Sequence, residues 1–115
     1  MILIEEISME TIERLQKNGI FFNYDDIAEL CKKHGVNELS IFGSSIREDF
    51  NQNSDVDFLV SFNNTLEISL FDIMNLEKKF SELLKRDVEI VEKESLKNPI
   101  RKNKILSTRE IIYAA

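Results

Sequence analysis

Asp55 and Asp57 lie two residues apart in Ser54-Asp55-Val56-Asp57-Phe58-Leu59-Val60, a run with strand character. Residues at i and i+2 of a strand face the same way, so the two carboxylates stand side by side. Neighbouring carboxylates repel when both are ionised, and a bound cation is the usual means of keeping both charged. Upstream, Gly43-Ser44 follows a short apolar stretch and reads as a tight turn into a short helical segment. Such a turn offers backbone N–H groups and a hydroxyl to a phosphate. A phosphate-binding turn facing metal-binding carboxylates is the layout of metal-assisted transfer from a nucleotide.

These residues need a sheet with helices packed on it. Leu39 to Phe42 is an alternating strand that ends at the glycine turn, and Glu48 to Ser54 is polar loop. Val56 to Phe62 is the second strand, with Val56, Phe58 and Val60 on a buried face and the aspartates on the other. Val88 to Val91 is a third strand, in which Val88 and Ile90 are buried, so Glu89 projects to the side of Asp55 and Asp57. Helices are expected from Met9 to Lys17 behind Ser8, from Asn23 or Asp25 to Gly35, and from Ser69 to Leu84. A last one runs from Leu96 to Leu106 with Pro99 near its first turn. In the long third helix, Leu70, Ile73, Met74, Leu76, Phe80, Leu83 and Leu84 form an apolar stripe. Ile111-Ile112-Tyr113 is an apolar end that docks on the core or on a partner.

Three acids thus converge. Asp55 and Asp57 suit Mg²⁺ bridging the triphosphate oxygens. Glu89 suits a second ion beside the attacking hydroxyl, and can accept its proton. Asp87, two residues earlier on the same face, competes with Glu89 for that third place. Cys31 keeps helical spacing with Ile27 and Leu30 and reads as core rather than nucleophile. His34, the single histidine, falls near a helix end and cannot build a histidine-rich zinc site.

Gly43-Ser44, ten residues, then Asp55-Val56-Asp57 resembles the signature of the DNA polymerase β-like nucleotidyltransferases. The stretches GSSIRED, SDVDFLV, VEIV and LKNPIRKNKIL resemble the minimal nucleotidyltransferases (MNT proteins), some of which are antitoxins encoded beside HEPN-domain proteins. The resemblance implies an α+β fold, a small mixed sheet flanked by helices, preceded by an N-terminal helical extension over residues 1–20. It implies a site made of Asp55, Asp57 and Glu89, with Gly43, Ser44, Ser45 and Arg47 at the nucleotide. It also implies Mg²⁺, with two ions at the site, and ATP. The activity implied is transfer of AMP to a tyrosine hydroxyl of a HEPN ribonuclease toxin. One departure stands out: the family's third acid is usually aspartate, and here Glu89 holds that place. Arg47 either contacts a phosphate or braces Asp49. A non-catalytic module that neutralises its partner by binding, and a transferase acting on a small molecule, are the competing readings.

The bulk properties bound these readings. With 115 residues the chain is one domain, with little room for a second lobe to hold a small acceptor. A net charge of −6 argues against a nucleic-acid binder that relies on broad phosphate attraction. The basic residues Lys97, Arg101, Lys102, Lys104 and Arg109 gather near the end, suited to phosphates, an acidic partner or solvent. The single cysteine agrees with a reducing cytosol, no apolar run approaches a membrane span, and Met1 to Glu6 lacks the basic start of an export signal. Cytoplasmic location follows as an expectation, and both a homo-oligomer and a hetero-oligomer are compatible with the sequence.

Overall fold

The computed structural model describes residues 8–51 and 53–115. The reading of Met1 to Glu6 lies outside the described residues. Helices α1 (Met9–Lys17) and α2 (Tyr24–Lys33) precede strand β1 (Val36–Phe42), and a 3₁₀ turn over Gly43–Ile46 follows. Then come β2 (Val56–Phe62), α3 (Leu70–Leu84), β3 (Val88–Glu92), α4 (Pro99–Thr108) and β4 (Glu110–Ala114). This is the expected α+β architecture, with a four-stranded mixed sheet in the order β3-β2-β1-β4.

Local signals set most helix boundaries. Ser8 and Asn23 accept the N–H groups of Thr11 and Asp25, so α2 takes its cap from Asn23 and not from Asp25. Ser69 and Asp72 form a reciprocal capping box on α3. Pro99 occupies the first turn of α4, where its missing N–H costs nothing, but Asn98 is the cap, so the helix starts later than Leu96.

The sheet is covered on both faces. On one, Leu15, Ile27, Cys31, Leu76, Phe80 and Leu84 from α1, α2 and α3 pack on Leu39, Ile41, Val56, Phe58, Val60 and Ile90. Phe58 and Phe80 meet edge to face at 5.0 Å. On the other, Leu96 and Ile105 cover Phe42 and Leu59. The face carrying the aspartates is therefore partly buried too, because α4 folds back across it. The apolar stripe of α3 is buried only at Leu76, Phe80 and Leu84; Leu70 and Met74 are exposed, since the helix starts beyond the ground it covers.

The apolar end is a strand. Residues Glu110–Ala114 pair antiparallel with β1, and Ile112 and Tyr113 are buried, so this segment docks on the core and is not an exposed interface. Arg109, immediately before it, pairs with Glu38 of β1, leaving the other basic residues of the tail on α4 and just ahead of it. Burial raises the pKa of Glu38, but the hydrogen bond and charge of Arg109, with Lys93, hold it below the usual carboxylate range. Cys31 is fully buried and its thiol is pushed up to about 12 by burial, which keeps it protonated and inert at neutral pH. His34 caps the end of α2 just ahead of β1, at the opposite end of that strand from Gly43.

Truncating Phe80 to Ala removes the ring that fills the centre of the larger cluster. The expected cost is about 3–5 kcal/mol of folding free energy, read as a shift of the urea midpoint with an unchanged slope.

Candidate active site

The site is built where β1 ends and β2 begins. Phe42 pairs with Asp57 across the antiparallel ladder, so the turn that follows Phe42 lies directly over the Asp57 side chain. Gly43 has φ of +72°, and a Cβ there would stand 2.7 Å from Asp57 Oδ2. Glycine is required twice over, by the backbone angle and by the carboxylate. The turn that follows is one 3₁₀ turn of four residues, the short helical segment expected from the sequence. It is too short to carry a macrodipole, so anion binding there rests on individual N–H groups and on the half-exposed Ser44.

Ser45 takes a different part from the one its sequence position suggests. It is fully buried, and its Oγ accepts the Asp57 N–H at 3.2 Å. It fastens the turn to β2 rather than presenting its hydroxyl to the open face. Asn18, the C-cap of α1, adds two clasps: its Nδ2 donates to the carbonyls of Ser45 and Arg47 at 2.9 and 3.1 Å. Arg47 is exposed and pairs with Asp49 at 3.0 Å, so the bracing role is the one seen. That hydrogen bond holds the Asp49 carboxyl below its ordinary range.

The parallel ladder between β2 and β3 puts Glu89 directly beside Asp57. Asp55 stands one strand step away, exposed, just ahead of β2. Asp57 is half-buried, and burial, then the charges of Glu89 and Asp55, push its pKa up to about 6; Arg47 and Arg101 act in the opposite direction. Asp87 is placed differently. It lines an open depression of about 520 Å³ with Asn53, Ser54, Asp55, Ser81, Lys85 and Arg86, and it is absent from the charges acting on Asp57. Of the two competing acids, Glu89 is the one facing Asp57.

Arg86, unassigned in the sequence, and Arg101, one of the basic tail residues suited to phosphates, support this arrangement. Arg86 donates to the carbonyls of Asn51 and Ser54 and stacks over the Phe50 ring at 4.5 Å, tying the loop ahead of Asp55 to the base of β3. Arg101 on α4 brings positive charge toward Asp57. Both lie in ordinary basic stretches, and only the tertiary fold aims them.

The donor set suits a hard divalent cation: three carboxylates without thiol or imidazole, crowded enough to disfavour full ionisation without one. Among the described residues no three histidine, cysteine, aspartate or glutamate side chains gather into a group that could hold a metal ion by themselves. Mg²⁺ does not need one, because it fills its shell from one or two carboxylates, water and substrate phosphates.

The nucleotidyltransferase domain family matches residues 27–112, three quarters of the chain. The chain belongs to this nucleotidyltransferase family. It is 41% identical over 86 residues to the protein adenylyltransferase MntA of Thermococcus cleftensis, covering 74% of this chain and 81% of that protein. Among solved structures, a toxin–antitoxin complex with AMP-PNP superposes with a TM-score of 0.66 at 19% identity, over 82% of this chain and 75% of that one. A complex of tri-AMPylated Shewanella oneidensis HEPN toxin with MNT antitoxin gives 0.59 at 17%, over 88% and 73%. At these identities the structural likeness is one of fold. As a nucleotidyltransferase, the chain has its glycine turn and its paired aspartates inside the matched stretch, whereas α1 and Asn18 precede it.

Two outcomes follow from the packing of Gly43 on Asp57. Gly43→Ala meets both the left-handed backbone angle and the carboxylate, and is expected to cost about 1–3 kcal/mol of stability together with most of the transfer activity. Asp57→Asn is expected to do the reverse for stability. The folded chain holds Asp57 above its ordinary value of 3.8, so its stabilising contribution is complete below pH 4 and is lost as pH rises through about 6. In metal-free buffer the asparagine variant should match the parent at pH 4 and exceed it by about 1–2 kcal/mol at pH 8, measured by urea unfolding.

Proposed function

We propose that this nucleotidyltransferase is an antitoxin that transfers AMP from ATP to a tyrosine hydroxyl of a HEPN-type ribonuclease toxin and so silences it. The observation that carries the proposal is the side-by-side placement of Asp57 and Glu89 beneath the Gly43 turn. Similarity to the MntA protein adenylyltransferase supports a protein as the acceptor, and the fold shared with antitoxins solved beside their toxins is compatible with it.

In this reading Asp55, Asp57 and Glu89 would hold Mg²⁺, which would supply neutralisation of the phosphate charge. Ser44 and the turn N–H groups grip the phosphates, Ser45 keeps the turn seated on β2, and Arg101 adds positive charge at the rim. The acceptor oxygen forms a bond to the α-phosphorus as the bond to the pyrophosphate oxygen breaks. The hydroxyl proton passes to the Glu89 carboxylate. Glutamate reaches one methylene further than the aspartate usual at this position, and from an exposed strand position that extra length extends toward an acceptor arriving from outside.

The test is incubation with Mg²⁺, ATP and a purified HEPN-domain ribonuclease, followed by intact-mass spectrometry. The expected result is one or more AMP units on the HEPN protein, absent with the Asp55→Asn/Asp57→Asn double variant. Glu89→Gln should lower the rate by about 10²–10⁴-fold, whereas Asp87→Asn should change it less than about threefold. A stable complex with unmodified partner, and neutralisation undiminished in the double variant, would replace chemistry with simple binding.

A further inference from the structure

The family match begins at residue 27, yet the turn that carries Gly43 and Ser44 is held from outside that stretch. Asn18 ends α1, and its side-chain amide donates both of its protons, to Ser45 O at 2.9 Å and Arg47 O at 3.1 Å. Ser45 in turn takes the Asp57 N–H on its hydroxyl. One side chain therefore reaches both carbonyls flanking Ile46, and through Ser45 it is coupled to the strand bearing the aspartates. Helix α1 is itself well seated: Leu15 is buried to 1% exposure, as is Ile20 just after the helix, and Arg14 pairs with Glu110 of β4 at 2.9 Å.

We propose that Asn18 is a positioning residue for nucleotide binding, by which the N-terminal helix fixes the phosphate-gripping turn over Asp57. The proposal rests on the adenylyl-transfer reading for the identity of the ligand. Its physical basis is local. A 3₁₀ turn of four residues has little stability of its own. Its exit is tied by the Arg47 N–H to Ser44 O bond at 2.9 Å. With glycine at its head, the turn samples other backbone angles unless something outside it holds the carbonyls in place. Donation from a single rigid amide to two carbonyls removes that freedom before the nucleotide arrives, so binding does not have to order the turn.

Asn18→Asp is the informative substitution, because it keeps the shape and removes both protons. Asn18→Gln retains the donor group on a longer arm and serves as the rescue. In the nucleotide-free protein, the amides of Arg47 and Asp57 should exchange with solvent about tenfold faster in Asn18→Asp, while that of Phe58, one residue on, stays at the parental rate. By calorimetry with Mg²⁺ and AMP-PNP, Asn18→Asp should bind about tenfold more weakly, and Asn18→Gln should recover at least half of that loss on a logarithmic scale. Equal affinity of the parent and Asn18→Asp, or equal losses in both variants accompanied by matching falls in melting temperature, overturns the positioning role and leaves the transfer reading standing. Parental protein that fails to bind AMP-PNP at all overturns the transfer reading, and with it this proposal.

Discussion

Gly43 and Asp57 approach so closely that no side chain fits between them, and the arrangement of the domain follows from that approach. Antiparallel pairing of Phe42 with Asp57 delivers the turn to the carboxylate. Parallel pairing of Asp57 with Glu89 delivers a second carboxylate from the opposite side. Asp57 is therefore squeezed between a backbone turn and a like charge, with apolar residues behind it. This is costly for the empty protein. The same crowding makes a cationic, phosphate-bearing ligand the natural complement of the site.

The second apolar cluster sets the edge of the site. Along β2, Asp57 and Leu59 share a face, but Leu59 is sealed by Leu96, Ile105 and Phe42 whereas Asp57 is only half-buried. The candidate site thus sits at the rim of the ground covered by α4, where water and core meet within two residues. A carboxylate one step deeper would be neutral and useless for binding a cation. One step further out it would titrate as an ordinary surface acid.

How much of this was legible in the sequence depended on the range of the signal. Caps at Ser8, Asn23 and Ser69 and the proline of α4 act within a turn of their own helices, and they placed the helices closely. The shared face of Asp55 and Asp57 follows from the period of a strand. The choice of Glu89 over Asp87 as the residue facing Asp57 rested on family likeness, because register between β2 and β3 is set by the crossover through α3. Ile111 to Tyr113 could not be recognised as a strand, since nothing local distinguishes a five-residue apolar segment that pairs from one that merely packs. The seating of Ser45, the clasp of Asn18 and the Arg86 stack on Phe50 involve partners far away in the chain, and no spacing rule reaches them.

The β1–β4 pairing also has a kinetic meaning. The contact between Ser45 and Asp57 closes 12 residues, whereas that between Arg109 and Glu38 closes 71. Loop-closure entropy alone makes the longer connection costlier by about 1.6 kcal/mol. The glycine turn and the strand bearing Asp57 can therefore find one another early. On this count the glycine turn and Asp57 pair at lower entropic cost than β4, so the part of the candidate site they form does not wait on the strand that closes the sheet.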